Sequence, residues 1–382
     1  MSVFGAYGSG GGRDLPRVLH VSVRPDAARD GSSRFACSLH EEGTGISWQY
    51  PVELSAVAEE RLIDGARTLA AWASGRGSTA SEARRAVDAV GRQLYRSFLG
   101  RRGEEYLRRM RPTAVLVDVD ETILSLPWEL MHGMDGPLVT DVPVGRLVAT
   151  RTVPHAERDP LVQDREVRIL AVADPTVDLA LAEAELDALR VVVDRGAAGF
   201  TLKLDALTGK QATVARFRKR IAENDYDILH FAGHAGFAPT RPGLSALRFA
   251  DGVIRADAVL SLPWPSPPGI VFASACESAM ASRGARLVGR RRNANGLAAA
   301  FLSAGVAGYL GYLWPVSDDG AGLVAGTFYD ALFTRENVGL AVLEARRAAA
   351  SQLTDPLDLA GYSLVLYGDA ASEHRRDLAM AH

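Results

Sequence analysis

Cysteine is scarce in this chain: Cys37 and Cys276 are the only thiols among 382 residues. Far apart and in unlike contexts, they exclude a disulfide scaffold and fit a reducing, cytoplasmic compartment. A charge excess of either sign is also missing. Lys and Arg number 43 against 46 Asp and Glu, a net charge of -3, so a nucleic-acid surface spread over the whole fold is not indicated. The opening MSVFGAYGSGGGR has no basic stretch leading into an apolar core, and no secretory leader is expected there. No CxxC or HExxH offers a zinc site and no GxSxG elbow offers a serine nucleophile. The run GARLVGRR, residues 284–291, has P-loop spacing without the Lys-Ser/Thr pair. No cofactor is therefore expected. An internal repeat of 20 to 50 residues is absent too, which leaves no tetratricopeptide sensor within the sequence.

What is present is a hydrophobic content of 47%, ample for the core of one large domain or two ordinary ones. One uncharged run, residues 293–317, is long enough to span a bilayer. Gly305 interrupts it after AAAFLSA, VAGYLGYLW then reads as a buried strand, and Pro315 ends it. Helix, turn and strand in a packed core explain the run without a membrane span.

The sequence divides into a flexible arm (1–14), an N-terminal α+β subdomain (15–112), a larger domain (113–370) and a tail (371–382). In the subdomain, residues 18–23, 34–40 and 46–54 alternate as short strands of a small antiparallel sheet, with Cys37 as a core side chain in the second. Helical patterns follow at 55–73 and 80–99. In the latter Ala83, Val87, Val90, Leu94 and Phe98 recur at spacings of three and four, and Thr79 with Glu82 forms a capping box. From residue 113, strands at 114–119, 167–173, 201–207, 227–233, 269–275, 307–313 and 362–368 alternate with helices at 178–195, 210–223, 294–304, 318–333 and 338–353. That alternation predicts a mostly parallel sheet covered on both faces.

Two strand ends carry reactive side chains. HFAGHAGF, residues 230–237, places His234 just beyond an apolar run, and FASACESA, residues 272–279, does the same for Cys276. Open α/β sheets hold their sites at such carboxyl ends. A thiol with an ordinary pKa of roughly 8.5 is mostly protonated at neutral pH, and an imidazole is the simplest partner to activate it. The flanking Ala275, Ser278, Gly233 and Gly236 are small enough for a peptide backbone to approach.

The ordered set HFAGHAGF, ASACESA, GLAAAFLSAGVAGYLGYLWPVSDD, FYDAL and LVLYGDA, with SLPWEL upstream at 125–130, resembles the CHAT family of caspase-like, separase-related cysteine proteases. The resemblance runs from about Val115 to Ala370. It implies a caspase-type α/β sandwich with a His-Cys dyad, His234 as proton shuttle and Cys276 as nucleophile. The backbone N–H groups of Ala235 and Cys276 would form the oxyanion hole. The family usually has glycine where this chain has Ala235, and alanine restricts φ. By the same resemblance, Asp318 lines a pocket for Arg or Lys at P1. Read from the residues alone, Ser317, Asp318 and Asp319 cap a helix. Family context further implies regulated proteolysis of a protein substrate in bacterial stress or antiviral defence, with a separate activator or sensor protein.

Three other readings compete. The fold could serve as a catalytically silent scaffold. AVLVDVDET, residues 114–122, matches the strand and DxDxT of Mg²⁺-dependent phosphatases, with Asp118 as nucleophile and Asp120 as acid. LPWEL follows too soon for the expected helix or cap. His230 stands four residues before His234, a spacing compatible with metal, but a buried, hydrogen-bonded histidine is the plainer reading. The Arg-rich residues 282–293 form a solvated loop or, given a basic P1 preference, a self-cleavage site.

Overall fold

The structure, a computed structural model, describes residues 17–26, 33–73, 79–120, 123–133, 136–149, 161–163, 165–179, 182–238, 240–280, 296–335, 337–353, 355, 358–373 and 375–376. The alternating runs near the start form an antiparallel meander of β1 (Val18–Asp26), β2 (Ser33–Glu41) and β3 (Ser47–Leu54). Phe35, Cys37 and Leu39 of β2 point into the core, and burial pushes the Cys37 thiol up to about 12. Helices α1 (Ala56–Ala73) and α2 (Ala80–Phe98) follow. The predicted stripe of α2 is buried at all five positions, Ala83, Val87, Val90, Leu94 and Phe98. At its start the Glu82 carboxylate accepts the Thr79 N–H at 2.8 Å. Helix α3 (Gly100–Met110) closes this region.

The next elements are β4 (Ala114–Asp120), α4 (Leu138–Asp141), β5 (Val144–Ala149), β6 (Val162–Gln163), β7 (Glu166–Ala173), α5 (Ala182–Arg195) and β8 (Thr201–Thr208). Then come α6 (Val214–Glu223), β9 (Ile228–Ala232), a small sheet of β10 (Ala235–Gly236), β11 (Ala246–Arg248) and β12 (Val253–Arg255), and β13 (Ile270–Ser274). The chain continues through α7 (Leu297–Ser303), β14 (Gly308–Tyr312), α8 (Asp318–Leu332), α9 (Val338–Gln352), α10 (Ala360–Ser363), β15 (Leu364–Tyr367) and β16 (Arg375–Arg376). The uncharged run is indeed helix, turn and strand: α7, a turn with Gly305 at φ 100°, then β14. Among the described residues no helix is long and apolar enough to cross a membrane.

Eleven strands form one sheet in the order β3-β2-β1-β4-β5-β15-β14-β13-β9-β7-β8. This is an α/β fold with a mixed, largely parallel central sheet, as a caspase-like sandwich requires. Helices α1, α2, α6 and α7 cover one face, and α5, α8 and α9 cover the other. The alternation along β13 shows why both faces close: Val271 and Ala273 enter one core, while Ile270 and Phe272 enter the second, where Phe272 meets Phe328 of α8 edge-on at 5.4 Å.

Two details go beyond the sequence reading. The N-terminal meander is continuous with the main sheet, because β1 pairs in parallel with β4 from Val18↔Ala114 to Val23↔Val119. Moreover, β14 and β15 are antiparallel, with Tyr309 opposite Tyr367, whereas the strands on either side of that pair run parallel to their neighbours. The sheet therefore holds two parallel blocks running in opposite directions, β14-β13-β9-β7-β8 and β1-β4-β5-β15, the second extended by the antiparallel β2 and β3. Carboxyl ends of β14, β13, β9, β7 and β8 emerge at one edge, and those of β15, β5, β4 and β1 at the other.

Candidate functional site

Register aligns the first edge. Ala173 of β7 pairs with Ala232 of β9, and Ala232 pairs with Ser274 of β13. His234 and Cys276 each lie two residues past that row, on adjacent parallel strands. The structure thus brings these two sequence-predicted residues to neighbouring strand ends. The His234 ring is 41% exposed, and Cys276 is half-buried.

A third strand end joins them. After β7 the chain turns through Asp174–Asp178, with Asp174 at φ 43° and Val177 at φ 59°. Such left-handed geometry is costly for a β-branched residue and needs outside support. Support comes from the Asp174 N–H, which donates to Ala232 O at 2.9 Å, and from the Asp174 carboxylate, which accepts the N–H groups of Asp178 and Leu179 at 3.0 and 3.1 Å. The loop so fixed presents Asp178 Oδ1 to His234 Nε2 at 3.1 Å. Thr176 hydroxyl donates to the same oxygen, and together with His234 it holds the Asp178 carboxyl below the usual carboxylate range. A proton on Nε2 shared with Asp178 leaves Nδ1 as the basic nitrogen. Sequence reasoning missed Asp178 by assigning it to a helix start. The available signal was an acid beyond the strand that turns out to neighbour the histidine strand.

The turn after Cys276 is held on several sides. Glu277 adopts φ 58°, a backbone strain placed directly after the thiol. Ser278 Oγ donates to Ala273 O at 2.7 Å and accepts the Tyr312 N–H at 3.1 Å. Tyr309 and Tyr367 hydroxyls donate to Ser278 O and Ala279 O, each at 2.9 Å. The approach is so close that a Cβ on Gly311 would meet Ser278 Oγ at 2.5 Å. Burial raises the Cys276 thiol above its ordinary value, with Glu277 and Asp318 adding to the rise. The backbone N–H groups of Val316 and of Cys276 itself oppose it. The resting group is therefore a thiol.

At Ala235 the backbone is strand, not left-handed, so glycine is not required there. Arg248 N–H donates to His234 O at 2.9 Å. That bond marks the flanking pair of the β10–β11 ladder, and Ala235, opposite Leu247, occupies a non-hydrogen-bonded position whose N–H faces away from β11. Asp318 is the first residue of α8. The capping role belongs to Ser317, whose Oγ accepts the Gly320 N–H at 2.9 Å. Asp318 is exposed, takes no hydrogen bond among the described residues, and lies close enough to Cys276 and Glu185 to act on both electrostatically.

Beneath this edge His230 is fully buried. Its Nδ1 meets the Tyr329 hydroxyl at 3.0 Å, and Nε2 faces Glu185 Oε2 at 3.5 Å. Burial pushes the imidazole down to about 3 and the Glu185 carboxyl up to about 8, so the contact is between two neutral groups. Among the described residues no three or more His, Cys, Asp or Glu side chains gather as metal ligands.

Asp118 and Asp120 stand at the opposite edge, at the carboxyl end of β4. Arg24 pairs with the Asp118 carboxylate and also donates to its carbonyl at 2.8 Å, so the nucleophile of the phosphatase reading is an ion-paired sheet residue. The Arg-rich residues 282–293 fall outside the described residues.

A CHAT domain model matches residues 88–374, well over half of the chain. The chain belongs to the CHAT domain family. The match begins inside α2, so this CHAT domain includes part of the helical layer that the sequence reading assigned to a separate subdomain. Among solved structures it resembles two of the Saccharomyces cerevisiae separase-securin complex. The TM-scores are 0.61 and 0.57 at 11% identity, covering 92% and 95% of this chain. The Arg-specific cysteine proteinase gingipain R matches with a TM-score of 0.47 at 11% identity, over 84% of this chain and 77% of that one. At such identities the likeness is one of fold. The CHAT chain spans about 30% of the length of the yeast chains it matches. No curated protein matches it in sequence.

Proposed function

We propose that this CHAT protein is a cysteine endopeptidase in which His234 and Cys276 form the catalytic dyad and Asp178 orients the histidine. One observation supports the reading above others: the shared register that sets His234 and Cys276 two residues beyond the row Ala173–Ala232–Ser274, with Asp178 on the adjoining loop. Nδ1 of His234 accepts the thiol proton as Sγ attacks the scissile carbonyl, forming a tetrahedral oxyanion. The backbone N–H groups of Ala235 and Cys276 receive that oxygen. Collapse expels the amine with the proton held by His234, and water, deprotonated by the same imidazole, hydrolyses the thioester. Because the thiol is raised by burial, the histidine acts as a base during attack rather than storing a thiolate beforehand.

Asp318, exposed and without a hydrogen-bond partner next to the thiol, supports cleavage after Arg or Lys. The substrate is a protein, released from control by a separate activator in a bacterial stress or antiviral response. The test compares wild type with Cys276→Ala on candidate substrate proteins and on a fluorogenic peptide panel, alongside labelling with a thiol-directed peptide ketone. Cleavage and labelling confined to the wild type support the reading, and unchanged cleavage by Cys276→Ala overturns it.

A further inference from the structure

The SLPWEL segment, whose Ser125, Leu126 and Pro127 line a cavity with Met280, Leu313 and Trp314, also reaches the cysteine turn through a chain of buried polar groups. Its Glu129, in the single helical turn Trp128–Leu130, is 1% exposed, and its partner Arg146 on β5 is fully buried. Arg146 Nε donates to Glu129 Oε1 at 2.7 Å, and one terminal nitrogen pairs with Glu129 Oε2 while donating to Leu126 O at 3.1 Å. The other terminal nitrogen donates to Leu124 O at 2.8 Å and reaches the Tyr367 hydroxyl at 3.5 Å. All five guanidinium donors are thereby engaged. Tyr367 of β15 is register-paired with Arg146, and its ring lies 5.5 Å beneath the guanidinium carbon. Its hydroxyl donates to Ala279 O, three residues after Cys276.

A buried ion pair is poor value as a stabiliser. Desolvating both charges cancels most of their attraction, and apolar side chains of similar volume commonly fold as well or better. What such a pair does supply is a fixed direction, because a planar, fully engaged guanidinium has one orientation. We propose that Glu129, Arg146 and Tyr367 form a positioning relay: the SLPWEL segment fixes Arg146, Arg146 fixes the Tyr367 hydroxyl, and Tyr367 anchors the turn that aims the Cys276 thiol. The same connection couples the α1–α2 region to the thiol, since Gly91 O of α2 accepts the N–H of His132, just past the segment, at 3.2 Å.

The relay rests on Cys276 being the reacting thiol, and its test is independent of any peptide substrate. In the full chain, the rate at which iodoacetamide alkylates Cys276 is measured against pH, with the modified peptide identified by mass. Tyr367→Phe keeps the ring and removes the anchor, so alkylation at pH 7 to 8 slows by roughly tenfold, the scale of one buried hydrogen bond. The variant keeps its circular-dichroism spectrum. The apolar double replacement Glu129→Leu with Arg146→Met keeps a foldable core and slows alkylation to a similar extent. Adding Tyr367→Phe to that double variant slows it no further, because the three residues act in series. Alkylation rates equal to wild type in the folded variants, or effects that multiply, overturn the relay. Slowed alkylation in variants of a protein that turns over no peptide upholds the relay and overturns the peptidase reading instead.

Discussion

The two oppositely directed parallel blocks of the sheet finish differently. Beyond the carboxyl ends of β7 and β13, three of the four left-handed non-glycine residues among the described residues appear, Asp174, Val177 and Glu277. At the carboxyl end of β4, the Asp118 carboxylate is neutralised by Arg24 on the neighbouring strand. One edge holds strained backbone and chemically available side chains, whereas at the other the Asp118 carboxylate is satisfied within the sheet. Strain that persists is strain the surrounding structure enforces, and it marks the edge where geometry matters more than stability. The antiparallel β14–β15 pair creates the contrast, since it reverses the sheet and sends the DxDxT sequence away from His234.

The largest expected effect tests this contrast directly. Cys276→Ala lowers peptide turnover by roughly a thousandfold or more, while Asp118→Asn, at the opposite edge, leaves kcat/KM within about twofold of wild type. Comparable losses in both would remove the distinction between the edges.

Next comes stability beneath the active edge. Glu185 is neutral in the folded chain and has a pKa of about 8 there, above its unfolded value near 4.5. The folded state therefore binds the extra proton between those values, so the contribution of Glu185 to stability is fully present below about pH 4.5 and is lost as pH rises through 8. Glu185→Gln removes this loss. Urea unfolding is expected to show the variant more stable than wild type at pH 8 by on the order of a few kcal/mol, with the difference vanishing toward pH 4.5. A pH-independent difference would mean that Glu185 is ionised throughout.

Asp318→Asn is expected to cut kcat/KM for peptides with Arg at P1 by about ten- to a hundredfold, the scale of one charged hydrogen bond, and to leave Leu peptides unaffected. Equal wild-type turnover of Arg and Leu peptides eliminates the acidic pocket. The smallest effect belongs to Asp178→Asn. Its side chain is 59% exposed, so solvent replaces part of what it does, and kcat falls by about tenfold with KM unchanged. The acidic limb of the pH–rate profile tests the same pair: Asp178 keeps its charge below the usual carboxylate range, so its support of His234 is lost only under strongly acid conditions.

Much of this was legible in the sequence because it is local. The α2 stripe, the helix-turn-strand from Leu297 to Tyr312 and the seven strands from residue 114 follow from period and punctuation. Strand β5 was not legible: Arg146 interrupts VGRLVA and disguises a core strand, and the carboxylate of Glu129 with the carbonyls of Leu124 and Leu126 makes its burial tolerable. Asp178 was missed because its partner is 56 residues away and the loop joining them takes its form from Ala232 of a different strand.

By itself the sequence determined most of the long strands and helices, which faces are apolar, and that a histidine and a cysteine stand at strand ends. These follow from side-chain chemistry within a few residues. The tertiary structure decided which strands lie side by side, which way each parallel block of the sheet runs, and therefore that Asp178 reaches His234 while Asp118 cannot. Those outcomes depend on pairing across long stretches of chain, as between Ser22 and Asp118 or Arg146 and Tyr367. Strand order and register are fixed only when both faces of the sheet are buried at once, and no local pattern encodes that condition.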